Sequence, residues 1–309
     1  MPGAGSGNLA FGKETSFMES LADEDNDGNP DYWQFGRNPS LTELSLDNQL
    51  QRMRDAGVVE NVESVKQAFE GAVGVEATIS SDTFDDVEDI VFNDAGTSFT
   101  SGQAASSRIY AGVDYVGGTA ERELIGCIPT EFTPINYTEG GLLTFSISFL
   151  YADENKSASI TPSNVNSVSN ATSAPDHALT LDIDGVTVTQ LQSAQLSISS
   201  IARFIRGAAG PAPVDAVIAA PESTVETSAV FGSDSPSRLE LAYGSAGATS
   251  PEDLVGGVSA TLDVTVNGTQ VSTYNLTVTP ASGSWDNVIN TENTEQSLTW
   301  NVDGGVSVA

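Results

Sequence analysis

The stretch Ala260-Thr-Leu-Asp-Val-Thr-Val266, followed by Asn267-Gly268 and Thr269, decides the fold. Its apolar and polar residues alternate with a period of two. That spacing sets one face of a strand on a core and the other toward solvent or a neighbour. Asn-Gly accepts two successive positive φ angles, so it predicts a type I′ turn closing a hairpin between Val266 and Thr269. The same alternation recurs outward along the chain. It is present in Leu276-Thr-Val278, Leu179-Thr-Leu-Asp-Ile183 and Gln195-Leu-Ser-Ile-Ser199. In the first half it marks Val75-Glu-Ala-Thr-Ile79, Arg108-Ile-Tyr-Ala-Gly-Val-Asp-Tyr115 and Leu143-Thr-Phe-Ser-Ile-Ser-Phe149. Asp184-Gly185 and Gly117-Gly118 are further turn signals. Helical patterning is sparse. Phe84, Val87, Ile90 and Val91 share one face of a short helix, with Asp82 or Thr83 as a candidate N-cap. Residues 50–66 are mixed and could hold a turn or two of helix. The fold class is therefore mainly β with one or two short helices.

The order of the strands hints at an internal repeat. Val75-Glu76 matches Val225-Glu226, and Val113-Asp114 lies in a strand that matches Leu262-Asp263. Leu124 and Pro129 match Leu276 and Pro280. Leu44-Ser-Leu46 matches Leu196-Ser-Ile198, and Phe145–Phe149 matches Ser297–Asn301. These matches keep a spacing of roughly 150 residues, which a duplication would produce. The other reading is two unrelated β-domains whose alternation falls into register. The expected organisation is an N-terminal arm over 1–38, a first unit over 39–155, a linker over 156–177 rich in Ser, Asn, Thr and Pro, and a second unit over 178–309. Each unit holds a long irregular insertion, 47–74 and 200–223. Phe204, Ile205, Val217 and Ile218 are too apolar for a solvated loop, so the second insertion is expected to pack on a neighbouring subunit.

Charge narrows the function. The chain has 42 acidic and 11 basic residues, a net charge of −31. Such self-repulsion strains a compact fold at low salt. At molar salt the Debye length falls to about 3 Å and screens it. A high-salt cytoplasm is the simplest setting, and an acidic secreted protein is the alternative. Scattered Arg and only Lys13, Lys66 and Lys156 do not make a phosphate-binding surface. Residues 1–12 lack the apolar core and basic lead of a signal peptide. No run approaches the ~20 apolar residues of a membrane span. A lone Cys127 in a strand-like run reads as a buried inert thiol. With one His and one Cys, a catalytic triad is not built, and carboxylate pairs such as Glu131 with Glu139 are commonplace in so acidic a chain. Trp285 and Trp300 are expected in the core.

The strongest local motif is Asp23-Glu-Asp25-Asn-Asp27-Gly28-Asn29-Pro-Asp31. Asp23, Asp25, Asp27 and Asp31 supply oxygens at the spacing by which a tight loop surrounds a hard cation, with Gly28 for the sharp turn and the Asn29 carbonyl as a further ligand. Gln34 stands where an EF-hand has its bidentate Glu, so the loop is of the shorter calcium type. Ca2+ is the expected ion, ahead of Mg2+, in a structural role. Asp-rich turns also arise by composition alone in an acidic chain.

The closing third resembles the tail-tube (major tail) proteins of long-tailed, siphovirus-like viruses. The resemblance is carried by Leu239-Glu-Leu-Ala-Tyr-Gly244, the strand Ser259–Val266, Tyr274-Asn-Leu-Thr-Val-Thr-Pro-Ala-Ser-Gly-Ser-Trp285 and the final strand Gln296-Ser-Leu-Thr-Trp-Asn-Val302. Gly7-Asn-Leu-Ala-Phe-Gly12 and Trp33-Gln-Phe-Gly36 add to it. The resemblance implies two tandem tail-tube-like β-sandwich or half-barrel units and no enzymatic activity. It also implies assembly with copies of itself, as a C3 trimer ring that is pseudo-hexameric and stacked head-to-tail, with 47–74 and 200–223 as candidate ring-to-ring contacts. Tail terminator, baseplate and tape-measure proteins would be partners. DNA would pass through the lumen without specific binding. The protein would sit in the virion tail, assembled in the cytoplasm of a haloarchaeal host. A second reading is a calcium-stabilised, adhesin-like β-sandwich of the cell surface.

Overall fold

The computed structural model describes residues 7–23, 28–92, 98–99, 101–115, 117–156, 165–208, 210–286, 288 and 293–309. The first half runs β1 (Gly7–Lys13), β2 (Tyr32–Trp33), β3 (Arg37–Asp47), β4 (Leu50–Met53), β5 (Glu63–Lys66), β6 (Glu70–Thr78), α1 (Phe84–Phe92), β7 (Ser107–Tyr115), β8 (Gly118–Thr138), β9 (Thr144–Tyr151), β10 (Asp153–Lys156) and β11 (Val165–Asn166). The second runs β12 (Leu179–Ile183), β13 (Val186–Thr187), β14 (Leu191–Ser199), β15 (Ala202–Ile205), β16 (Asp215–Ile218), β17 (Glu222–Val230), α2 (Ser235–Tyr243), β18 (Val258–Val266), β19 (Thr269–Asp286) and β20 (Glu295–Val308). The chain is mainly β with short helices, as the alternation predicts. One large sheet takes in all strands except the separate hairpins β4–β5 and β15–β16.

Local chemistry explains the turns. Asn267 and Gly268 have φ of 51° and 80° and join β18 to β19, pairing Val266 with Thr269. Asp184 and Gly185, at 52° and 75°, do the same between Ile183 and Val186. Both are the positive-φ pairs that a two-residue hairpin needs. In β9 every second residue is buried, so Phe145, Ile147, Phe149 and Tyr151 face the core while Ser146 and Ser148 face away.

The pairing order β3·β6·β9·β8·β7 of the first half recurs as β14·β17·β20·β19·β18 in the second. A short helix follows the second strand in each half. β17 begins at Glu222 and β6 at Glu70, 152 residues apart; β18 begins at Val258 and β7 at Ser107, 151 apart. Pro129 opposite Phe149 and Pro280 opposite Trp300 occupy the same rung, and each ladder has a bulge just after the proline. A proline cannot donate to the ladder, so it falls where the ladder is interrupted. Leu44–Leu46 and Leu196–Ile198 also stand at counterpart rungs. By the ladders, however, the counterpart of Val75-Glu76 is Thr227-Ser228 and not Val225-Glu226.

Three expectations change, and one helix forms where the sequence does not mark it. Residues 50–66 form the hairpin β4–β5, with no helix. α2 carries no clear apolar stripe in sequence, yet it forms, with a proline in its first turn. Residues 7–13 of the segment expected as an arm are a strand paired along its length with β7, and Phe11 packs 4.5 Å from Phe35 and 6.0 Å from Trp33. Trp285 is 44% exposed, whereas Trp300 is fully buried. Glu14 pins the start of the chain: its carboxylate accepts the Gly126 N–H at 3.1 Å, the Met18 N–H at 2.9 Å and Arg108 Nε at 3.2 Å.

Trp300 fills the core of the second half and donates from Nε1 to Thr227 Oγ1 at 3.2 Å. Trp300→Ala leaves a cavity and removes one of the two bonds of the Thr227 hydroxyl, which keeps its donation to the Leu298 carbonyl at 3.4 Å. It should cost about 3–5 kcal/mol in chemical denaturation, while Trp300→Phe should cost clearly less; equal losses would show that the cavity does not matter.

Candidate functional site

The two halves meet at a seam. β14 pairs with β17 of its own half on one edge and with the far end of β8 on the other. The seam sets Ile198 opposite Phe132, Leu196 opposite Ile135 and Gln195 opposite Asn136. Leu196, Ile198, Phe132 and Ile135 are all sealed from solvent. β8 can serve both halves because it is 21 residues long. Its near end pairs with β7 and β10, and its far end with β9 and β14.

The insertion hairpin β15–β16 reinforces the seam. It folds back on the first half of the same chain, which covers part of the apolar content of residues 200–223, while Ile205 and Val214 stay exposed. Phe204 packs 5.9 Å from Phe17. Arg206 forms an ion pair with Glu70 and donates to the Phe69 carbonyl at 3.3 Å. Ala104 N–H bonds the Ala216 carbonyl at 3.1 Å, Ile218 N–H bonds the Gly102 carbonyl at 3.0 Å, and Gln103 bridges Val217.

The counterpart edges are open among the described residues. β3 pairs with β6 alone, and β19 beyond Pro280 pairs with β20 alone. Leu46, which corresponds to buried Ile198, is 44% exposed. Residues 281–286 are exposed throughout. A cavity of about 600 Å3 lies beside them, lined by Leu239, Tyr243, Pro280, Trp285 and Leu298 among others. The hairpin β4–β5 is likewise exposed, with Leu50, Met53, Val59 and Val62 turned to solvent.

The expected cation loop is only partly described. Asp25 and Asp27 lie outside the described residues. Asp23 Oδ2 accepts the Gly28 N–H at 3.0 Å, and Gly28 takes a φ of 92°, so the loop turns back on its first carboxylate. Asn29 is exposed and Asp31 is buried at the far end, its N–H on the Ala22 carbonyl at 3.1 Å. Among the described residues no three His, Cys, Asp or Glu side chains cluster as a metal site. Cys127 is buried, and burial pushes its thiol well above the usual range. A thiol kept protonated is a poor nucleophile.

One buried carboxyl links the halves. Glu88 of α1 accepts the Ser272 hydroxyl of β19 at 2.7 Å and the Tyr274 hydroxyl of the same strand. Burial raises its pKa to about 7, and the negative charges of Asp85 and Asp89 add to the rise, while the two hydroxyls oppose it. Sequence patterning misses this residue because a Glu on an amphipathic helix is ordinarily read as solvent-facing.

A large β-sheet with open, apolar-studded edges offers surfaces suited to assembly with other chains. The family model for phage tail tube proteins matches residues 6–302, and the chain belongs to that family. It is a structural, non-enzymatic component of the virion tail, in which it assembles with other tail proteins. No curated protein matches the chain. No helix among the described residues is long and apolar enough to cross a membrane.

Because the folded state raises the Glu88 pKa from 4.5 to about 7, it holds the proton more tightly than the unfolded chain does. That contribution is fully present below about pH 4.5 and is lost as the pH rises through about 7, a change on the order of 3 kcal/mol. Glu88→Gln should flatten the stability profile across this window in urea titrations; an unchanged slope would place the titrating group elsewhere.

Proposed function

We propose that copies of this chain form stacked rings of a hollow tail tube that conducts DNA, with three chains per ring and two tube units per chain that arose by internal duplication. The observation that carries this reading is the pairing order that occurs twice in one chain. A chain with two equivalent units supplies six units to a ring of threefold symmetry. Head-to-tail contacts between rings do not close on themselves, so they extend into a filament. Closure of the ring also removes the sheet edges that a lone subunit leaves open. Tail terminator, baseplate and tape-measure proteins are the proposed partners.

The face of the sheet turned away from the helices supports DNA passage. Its rows run Glu76–Ser146–Thr133 in the first half and Asn136–Gln195–Glu226–Thr299 across the seam. These rows hold hydroxyls, amides and carboxylates and no cation, so they offer phosphate nothing to bind. The net charge of −31 supports assembly in high salt and a haloarchaeal host. The loop from Asp23 to Asp31 is proposed to hold a structural Ca2+, its turn already closed by Asp23 on Gly28.

Purified protein in molar salt should form rings or tubes with three chains per ring in negative-stain images and mass measurements; a uniform monomer under all salt conditions would sink the reading. A chelator should lower the melting temperature by roughly a few degrees at constant ionic strength, and Asp23→Ala should abolish that response. No response in the parent protein, with no metal detected, removes the cation.

A further inference from the structure

The intrachain seam is a template for a contact between chains. Its strands and its hairpin have counterparts 151 or 152 residues away, and among the described residues those counterparts are half-buried or exposed. β14 and β8 are covered, while β3 and the end of β19 are not. β15–β16 is docked, while β4–β5 projects. The two hairpins are built alike: Ala202 opposite Ile218 corresponds to Leu50 opposite Lys66, and the Val214 N–H to Ile205 carbonyl bond corresponds to the Val62 N–H to Met53 carbonyl bond, both at 2.9 Å. Arg206 then corresponds to Arg54, and its partner Glu70 to Glu222. Gln103 corresponds to Leu254, which is 83% exposed, and Val217 to Val65.

We infer that a second copy of the chain docks by repeating this seam in trans, with β3 of one copy pairing with the end of β19 of the next, and with hairpin β4–β5 lying against Leu254 and carrying Arg54 to Glu222. The inference rests on the ring reading above and specifies its lateral contact. The register follows from the rungs of the internal seam. Ile198 opposite Phe132 becomes Leu46 opposite Gly283. Leu44 and Leu46 would then turn toward the cavity between α2 and Trp285, as buried Leu196 and Ile198 turn into the core in cis. Arg54, now bonded to Asn61 Oδ1 at 3.0 Å, is exposed, as is Glu222. This assigns 47–74 to contacts within a ring, where its apolar residues gain cover, and not to contacts between rings. A second copy is the occupant because the chain already contains the matching half of the contact, in the same register and with the same ion pair.

The test is cross-linking of assembled protein. Val65→Cys with Leu254→Cys places two thiols at the counterpart of the Gln103–Val217 bridge, and mild oxidation of rings should give covalent multiples ending at a closed three-chain species on non-reducing gels. Either single variant, and the off-register pair Val59→Cys with Leu254→Cys, should give at least tenfold less. Buried Cys127 stays silent in all of them. Arg54→Glu or Glu222→Arg alone should reduce ring yield several-fold, and the double reversal should restore it. Rings that form but cross-link no better at the designed pair than off register overturn the seam and leave the ring reading standing. Absence of rings in the unsubstituted protein overturns both. Covalent ladders longer than three chains keep the seam and overturn the closed trimer.

Discussion

The ladder between β8 and β14 is the interaction on which the rest of the structure depends. A strand edge is a row of backbone N–H and C=O groups that must bond either to water or to another chain. At this seam each half satisfies the other's row, and the apolar side chains on both strands become core. The requirement shapes β8 itself. A strand of 21 residues is several times the usual length of about 5–6. It must leave its own hairpin with β7 and then run on beside β9 to reach the second half. Pro129 falls between the last rung with β7, at Cys127, and the first rung with β14, at Phe132. A proline there removes one donor where the ladder changes partners, so the donor is not missed.

The same constraint makes the molecule lopsided. β3 carries Leu44-Ser45-Leu46 where β14 carries Leu196-Ser197-Ile198, and both alternate in the same sense. In β14 the apolar positions are core; in β3 one is half-buried and the other lies open. An apolar strand edge in water invites uncontrolled pairing, and monomeric proteins blunt such edges with charge, proline or a covering loop. Here Pro39 lies near the start of β3 and Glu43 within it, but the leucines remain. Their persistence has a physical reason if the edge is covered in the assembled state, because the same residues then contribute burial in place of a liability.

Much of this was legible in the sequence, and the failures have causes. The strands around Val258–Val266 and Thr144–Tyr151 follow from a period of two, and the Asn267-Gly268 turn follows from the φ angles that pair tolerates. Such signals are local, so one chain suffices to read them. α2 was not legible, because Ser235–Tyr243 buries only Ser235, Arg238 and Leu241 and thus shows no apolar stripe. The hairpin β4–β5 leaves no strand signal because its strands are four residues long and mostly exposed, with no buried face to create a period. Phe204 and Ile218 correctly signal a segment in need of cover, but composition does not say whether the cover is the same chain or the next. Glu88 and the Arg206–Glu70 pair join residues 184 and 136 positions or more from one another in sequence, and only the folded sheet brings them together. For the cation loop, the spacing of Asp23, Asp25, Asp27 and Asp31 is a sequence property, and the described residues add only its closure by Asp23 and the burial of Asp31.

The charge of the chain sets how such edges find one another. At −31 per chain, two copies repel at low ionic strength over the whole Debye length, about 10 Å at 0.1 M salt and about 3 Å at 1 M. In molar salt the long-range term vanishes and only contact-range forces remain: backbone ladders, apolar burial and ion pairs at bonding distance. The scarce arginines are placed for that range. Arg108 holds Glu14 and Glu123, Arg122 holds Glu154 and Arg206 holds Glu70, each joining separate segments, while Arg238 holds Asp234 one turn away at the start of its own helix. A protein so constituted cannot be steered to its partner by its overall field. It recognises a copy of itself through the shape and register of its edges, which is why a register written once inside the chain is informative about the contact outside it.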